Sequence, residues 1–201
     1  LNPDAGAKAK PVLPDFIGYR VALYEKIKAR QDALQAQKPR NPISVLLPDG
    51  RKFDAVSNQT TSLDIASMLG KSIAKNAVVA KVNGVLTDLS HPLEGDCSLE
   101  ILDFDSEEGK QVFWHSSAHI LGEACEQHYG CHLCLGPPID DGFYYEMGMQ
   151  KRAVVPEDYV PLEEAAKSII DERQPFEKVV VTKEELLEMF KYNPYKVRLI
   201  T

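Results

Sequence analysis

The sequence lacks a long apolar run. No stretch of its 201 residues approaches the roughly 20 consecutive apolar residues that a membrane-spanning helix needs, although 44% of them are hydrophobic. The N-terminus also lacks the basic, apolar and small-residue order of a secretory signal. With 26% charged residues, the composition is that of a globular protein large enough for one or two cores. We therefore expect a cytoplasmic protein that does not enter a membrane.

Cysteine is scarce and unevenly placed. Of the four cysteines, three fall within ten residues: Cys125, Cys131 and Cys134, with Cys97 apart from them. This distribution does not resemble the disulfide framework of a small secreted protein, so we expect reduced thiols. The chain also contains only one C-x-x-C pair, Cys131 to Cys134, whereas a structural zinc site commonly uses two such pairs.

A surplus of positive charge is also missing, because the formal net charge is -7. Residues 1–40 carry eight Lys or Arg against four Asp or Glu, so the rest of the chain must hold -11 to reach that total. This negative charge disfavours binding of nucleic acid over a broad surface. An RNA partner would have to contact the basic N-terminal part, local patches, or chain beyond this sequence.

The first 40 residues form a predicted N-terminal extension. Residues 1–14 are rich in Pro, Ala and Lys, which is typical of disorder. From Phe16 to Leu34, apolar residues recur at mostly helical intervals among basic ones, which predicts an amphipathic basic helix. Two interpretations stay open for it: a solvated helix with one docking stripe, or a helix that contacts RNA or a partner directly.

Residues 42–104 have the pattern of a small β-grasp module. Two apolar runs flank a turn at Asp49 and Gly50, and Thr61 begins one short helix that Gly70 ends. Two further strands are joined by Asn83 and Gly84, which favour a two-residue hairpin loop, and a closing strand follows. The order ββαβββ predicts a mixed sheet around a single helix. Because no cluster of reactive side chains occurs here, we expect a binding or spacer element.

Residues 110–201 predict an α+β layer. A helix is expected over about 111–129, followed by a strand, a turn and a second strand over 136–147. A helix near Pro161, a short strand at 178–181 and a capped helix after Thr182 come next. Pro194 is expected to end that helix before a strand over 195–200. Since the chain starts with Leu1 and stops within this predicted strand, we expect a fragment of a longer protein.

Two histidines, His115 and His119, lie four residues apart in the predicted helix, so their imidazoles project from one stripe. Three readings stay open: a metal site completed by other ligands, a hydrolytic or ligand-positioning site, and structural histidines. By themselves, Lys196 and Tyr145 read as ordinary strand residues.

Five segments in order carry a specific resemblance over residues 15–201: VLLPDGRKFDA, KVNGVLTDLSHPL, HSSAHILGEA, GPPIDDGFYYEM and YKVRLI. The chain resembles the N-terminal half of threonyl-tRNA synthetases, closest to the cytosolic eukaryotic type. The resemblance implies an N-terminal extension at 1–40, a ubiquitin-like TGS domain at 42–104, and at 110–201 the first part of an α+β editing domain, cut short at its C-terminus. In that family, the editing domain hydrolyses serine wrongly attached to tRNA(Thr).

The same resemblance implies residue roles and partners. His115, His119 and Lys196 would be catalytic and Tyr145 would bind substrate, while no residue of this chain would hold a metal or a cofactor. The whole enzyme would join threonine to tRNA(Thr) with ATP and Mg²⁺, bind zinc in its catalytic core, and form a homodimer through that core, which lies outside this sequence. A C-x-x-x-H element that completes the family's editing pocket also lies beyond Thr201. The alternative is a non-catalytic TGS module that binds RNA or protein.

Overall fold

The computed structural model describes residues 13–149 and 152–201, so nearly all of the segment predicted to be disordered, residues 1–14, lies outside the described residues. The chain divides into two compact units. The sheet unit comprises residues 30–117 and 138–143. The helical unit comprises the described residues up to 29, with 118–137 and 144–201. The predicted basic helix forms as α1, Asp15–Ala36.

The sheet unit contains a five-stranded mixed sheet, as the ββαβββ pattern predicts. Its strands are β1 (Pro42–Leu46), β2 (Lys52–Val56), β3 (Val79–Val82), β4 (Val85–Thr87) and β5 (Cys97–Leu102), in the order β2-β1-β5-β3-β4. β1 and β5 pair in parallel and the other neighbours are antiparallel. The connection between β2 and β3 contains two helices.

Two helices, instead of the single one expected, cover the sheet. Thr61 caps α2 (Ser62–Leu69): its hydroxyl accepts from the Asp64 amide at 3.1 Å, and the Asp64 carboxylate accepts from the Thr61 amide at 2.8 Å. The chain then turns at Gly70, whose φ of 155° is open to glycine alone, and continues as α3, Lys71–Asn76. The prediction that Gly70 ends the helix begun at Thr61 is therefore confirmed, whereas the prediction of a single helix is wrong.

The core of the sheet unit follows the alternation of the strands. Val45 and Ile65 are fully buried and Leu99 is 1% exposed, so α2 packs its apolar face on β1 and β5. Burying an aliphatic side chain of this size stabilises a fold by about 1.5–3 kcal/mol. These contacts stabilise the sheet. Its described residues include no cluster able to hold a metal ion.

Helices dominate the rest of the chain. α4 (Glu107–Tyr129) is longer than predicted, and it is followed by a ladder of two-residue strands, β6 (His132–Leu133) with β9 (Met147–Gly148). A second such ladder, β7 (Pro138–Ile139) with β8 (Gly142–Phe143), belongs to the sheet unit. A 3₁₀ turn at Pro156–Asp158 leads into α5 (Tyr159–Glu172); α6 (Lys183–Phe190) and α7 (Pro194–Ile200) complete the helical unit.

Two predicted strands of the helical unit are wrong. Residues 178–181 form no strand, and Val180 is 70% exposed. The segment around Lys196 is the helix α7 instead of a strand. Its side chain cap is Asn193, whose Oδ1 accepts from the amides of Tyr195 and Lys196 at 3.1 and 3.2 Å, while Pro194 occupies the first helical position, where its missing N–H costs nothing.

Replacing Asn193 by alanine should destabilise the helical unit, because this side chain is 2% exposed and also donates to the Leu133 carbonyl at 2.8 Å. We expect the free energy of unfolding in urea to fall by about 1–2 kcal/mol. Asn76→Ala, at an exposed position of α3, is the matched control and should change it by less than about 0.5 kcal/mol. Equal effects in the two variants would contradict the capping role.

Candidate functional site

The helical unit contains a cavity of about 460 Å³, within the size range of small-molecule sites. Its walls come from the first half of α1, the second half of α4, the β6 segment and the α6–α7 region. They combine apolar side chains with both signs of charge: Leu13, Ile17, Arg20, Val21, His119, Glu123, Glu126, Gln127, Leu133, Tyr145, Gln174, Phe190, Tyr192, Asn193 and Lys196.

Three of the four predicted site residues line this cavity. His119 enters from α4, Lys196 from α7 and Tyr145 from the segment between β8 and β9. The fourth, His115, is an exposed residue one turn earlier on α4, within the sheet unit, and is not among the described lining residues. The cavity therefore includes one of the two histidines that the sequence spacing paired, and residues 145 and 196 come from parts of the chain that the spacing could not relate.

Two glycines set the position of Tyr145. A Cβ added at Gly122 of α4 would lie 2.6 Å from Cε2 of the Tyr145 ring, and one at Gly136 would lie 2.5 Å from the same atom. Real Cβ atoms do not approach other atoms so closely, so the ring fits only because both residues lack a side chain. The sequence analysis missed this role. A glycine in the middle of a helix, where it costs about 1 kcal/mol relative to alanine, was the available signal.

Lys196 has an unusual environment for a lysine. Its side chain is half-buried, and burial lowers the pKa of its ammonium below the usual range. The charge of Arg20 acts in the same direction, whereas Cys134 and Glu126 act against it. Among the described residues, no carboxylate is bonded to Nζ of Lys196. The cavity therefore holds a cation with no fixed counterion.

A buried ion pair forms another wall. Nη1 and Nη2 of Arg20 donate to the two carboxylate oxygens of Glu126 at 2.9 and 2.5 Å, and Nη1 also donates to the Tyr192 hydroxyl at 2.7 Å. Glu126 is 3% exposed. Although burial works against the charge of Arg20, the bonds to Glu126 and Tyr192 raise its pKa well above the usual value. Neither residue was predicted, because the partners lie 106 residues apart.

The same region docks the basic helix. Phe16 stacks on Tyr192 with ring centroids 4.5 Å apart and planes 10° from parallel. The hydroxyl of Tyr19 donates to the Glu188 carboxylate, and the Lys191 ammonium lies 4.7 Å from the centre of the Tyr19 ring. These contacts give α1 the docking stripe that one interpretation of its sequence called for.

The cysteines near the two histidines do not assemble a metal centre in the described residues. All four cysteines are free thiols. Burial raises the pKa of Cys125 and of Cys131 to about 11. His132, between Cys131 and Cys134, packs its ring against Phe16 and Tyr192.

Comparison with known proteins identifies relatives for nearly the whole chain. Residues 43–103 match the TGS domain family. The chain is 50% identical over 188 residues to a protein of Caenorhabditis elegans named "Threonine--tRNA ligase, cytoplasmic", covering 94% of this chain and 26% of that protein. It is 49% identical over 198 residues to "Threonine--tRNA ligase 1, cytoplasmic" of Rattus norvegicus (97% of this chain, 28% of the relative) and 47% over 200 residues to that of Homo sapiens (98% and 28%).

The chain thus spans about a quarter of the length of the curated relatives it matches. The word "cytoplasmic" in the names of these relatives agrees with the predicted location. Within the described residues, no helix combines the length and the apolar character that crossing a bilayer would require.

Proposed function

We propose that this chain, which is homologous to the N-terminal part of the cytoplasmic threonine–tRNA ligases, serves in such a ligase as the part that binds tRNA and helps to hydrolyse Ser-tRNA(Thr). Identities of 45–50% over almost the entire chain support the assignment to an aminoacyl-tRNA ligase. The activity of the whole enzyme would use ATP and Mg²⁺ to join threonine to tRNA(Thr). Its zinc and its homodimer contact would belong to the catalytic core, outside this chain.

The proposed domains keep the boundaries that the family resemblance implies. Residues 1–40 would form the N-terminal extension and residues 42–104 the TGS domain, which the match over 43–103 supports. Residues 110–201 would begin the editing domain. The helical unit supports this division only in part, since the first half of α1 packs with it and not apart from it.

A hydrolytic site is needed for a physical reason. Serine differs from threonine by one methyl group, and a pocket can use that difference for only about 1–3 kcal/mol of discrimination. A second site that accepts serine esters and excludes the larger threonine corrects the remaining errors. The observation that carries this proposal is that His119, Tyr145 and Lys196 line one cavity of about 460 Å³.

Each residue has a task that its chemistry allows. His119 can accept and donate hydrogen bonds near neutral pH, which suits it to orient the ribose and the attacking water. Lys196 would stabilise the negative charge that develops on the ester oxygen. Tyr145 would bind the substrate from the glycine-lined side of the cavity. His115 enters the proposal through its position one turn before His119 on α4.

Replacing His115 and His119 together by alanine in the full-length enzyme tests the proposal. We expect the rate of Ser-tRNA(Thr) deacylation to fall about 10²-fold, a typical contribution of a positioned acid–base group, and mischarged tRNA to accumulate while threonylation is kept. His91→Ala, at an exposed histidine of the sheet unit, should leave both rates unchanged. Deacylation that is unaffected by the double substitution would refute the editing role.

The second candidate function is a non-catalytic TGS module, favoured by the match over residues 43–103. It predicts that the histidine pair matters to neither reaction and that binding of RNA or protein depends on the sheet unit alone. The deacylation measurement separates the two candidates, because only the first links the helical unit to the fate of Ser-tRNA(Thr).

A further inference from the structure

We propose that Arg20 of α1 is a positioning residue of the cavity: by holding both carboxylate oxygens of Glu126, it keeps that carboxylate from pairing with Lys196. The inference rests on the proposed function in one respect, that Lys196 is taken as a working group. It adds a residue of the N-terminal helix to a site otherwise built from later parts of the chain.

The geometry of the ion pair carries the first step. Arg20 forms a two-bond fork with Glu126, and its third donor bond, to the Tyr192 hydroxyl, fixes the guanidinium plane. Such bidentate pairs are the most directional that side chains form. Because Glu126 is 3% exposed, its charge cannot be neutralised by water and must be matched by a cation within the protein.

Among the described residues that line the cavity, Lys196 is the other lysine or arginine side chain. Lys196 lines the same cavity as Glu126, and a lysine on its flexible stem can move to a carboxylate more easily than an arginine held by three bonds. Without Arg20, the buried Glu126 carboxylate would attract the Lys196 ammonium. A lysine so paired would be a poor stabiliser of an oxyanion, because its charge would already be engaged.

Several other titratable groups line the same cavity or act on the charge of Lys196, and they must be counted in its titration. They come from each element around the cavity: Arg20 from α1, His119, Glu123 and Glu126 from α4, Cys134 from the β6 segment, and Tyr145 and Tyr192 from later segments. Of these, Cys134, Arg20 and Glu126 exert a charge effect on the pKa of Lys196. Arg20 is the one whose removal both takes away a cation and releases an anion.

The test labels the amine of Lys196 in the 201-residue chain with the N-hydroxysuccinimide ester of acetate at a series of pH values. Mass spectrometry of the peptide that contains Lys196 measures the extent of labelling. The plateau at high pH reports access of the reagent, and the midpoint reports protonation. Arg20→Gln should move the midpoint upward and slow labelling about tenfold at a pH below it, as expected for a lysine that gains a carboxylate neighbour. Glu126→Gln should move the midpoint downward.

The double variant Arg20→Gln with Glu126→Gln should return the midpoint to that of the unchanged chain. A purely structural role of Arg20 would change the plateau in the single and double variants alike and leave the midpoints in place, which would overturn the inference. If Arg20→Gln fails to fold, Glu126→Gln decides alone: a midpoint that stays or rises is contrary to it.

This labelling does not depend on editing. Shifts as expected, together with deacylation that ignores the histidine pair, would keep the role of Arg20 and remove the editing proposal. Fixed midpoints together with lost deacylation would do the reverse.

Discussion

Replacing Lys196 by alanine in the full-length enzyme should lower the rate of Ser-tRNA(Thr) hydrolysis about 10²–10³-fold, the usual loss when a group that stabilises an oxyanion is removed. The reason is its position: it is a half-buried cation in a 460 Å³ cavity that also contains His119 and Tyr145. Threonylation should be retained. The measurement is single-turnover release of labelled serine, with aminoacylation assayed in parallel.

Two further variants sharpen this prediction. Lys167→Ala removes an exposed lysine of α5 that pairs with Glu163 and should leave hydrolysis unchanged. Lys196→Arg keeps the positive charge and raises the pH at which it is lost. Because burial lowers the pKa of Lys196, hydrolysis by the unchanged enzyme should decline as pH rises through that lowered value, and the arginine variant should lack this decline. A pH profile common to both would contradict a role for the ammonium charge.

Replacing Gly122 by alanine should destabilise the helical unit and displace Tyr145. Alanine is intrinsically better than glycine inside a helix by about 1 kcal/mol, yet its Cβ would lie 2.6 Å from the Tyr145 ring. Overpacking of this kind costs about 1–3 kcal/mol. We expect the free energy of unfolding in urea to fall by about that amount, and serine release to slow because the ring no longer occupies the cavity wall.

Gly18 provides the matched control. It lies in α1, and a Cβ there would meet no atom within 4 Å, so Gly18→Ala should raise the free energy of unfolding by about 0.5–1 kcal/mol. Combining Gly122→Ala with Tyr145→Leu should relieve the clash, so that the double variant is more stable than the sum of the single effects. Strict additivity would argue that residue 122 acts without touching residue 145.

Local patterns were enough to predict the five strands of the mixed sheet and the start of α2. The Thr61–Asp64 capping box and the Asn83–Gly84 turn act over a few residues, and the alternation of β1 and β5 reports directly which side chains are buried. In the helical unit the valines at 179–181 predicted a strand, since sequence cannot tell whether a neighbouring strand is present. For α7, Asn193 and Pro194 are a helix start signal, although residues 195–200 were predicted to form a strand.

The cavity could be predicted only in part. The family resemblance predicted that His119, Tyr145 and Lys196 belong to one site. Helical spacing could not predict this, because it relates only residues on the same helix. The partner of Arg20 lies 106 residues away, and no local rule connects them. Similarly, the Tyr145 ring occupies the space that side chains at positions 122 and 136 would fill, and Gly122 is distant from Tyr145 in the sequence.

The buried ion pair between Arg20 of α1 and Glu126 of α4 also restricts which substitutions these two helices can accept during evolution. A carboxylate at position 126 is tolerable only while a cation reaches it, so losing the arginine first would leave a buried charge unmatched, at about 3–5 kcal/mol. Losing the Glu126 carboxylate first would leave the Arg20 guanidinium without its carboxylate partner. The leading basic helix α1 is thereby tied to one buried residue of α4, which lies 106 residues after Arg20.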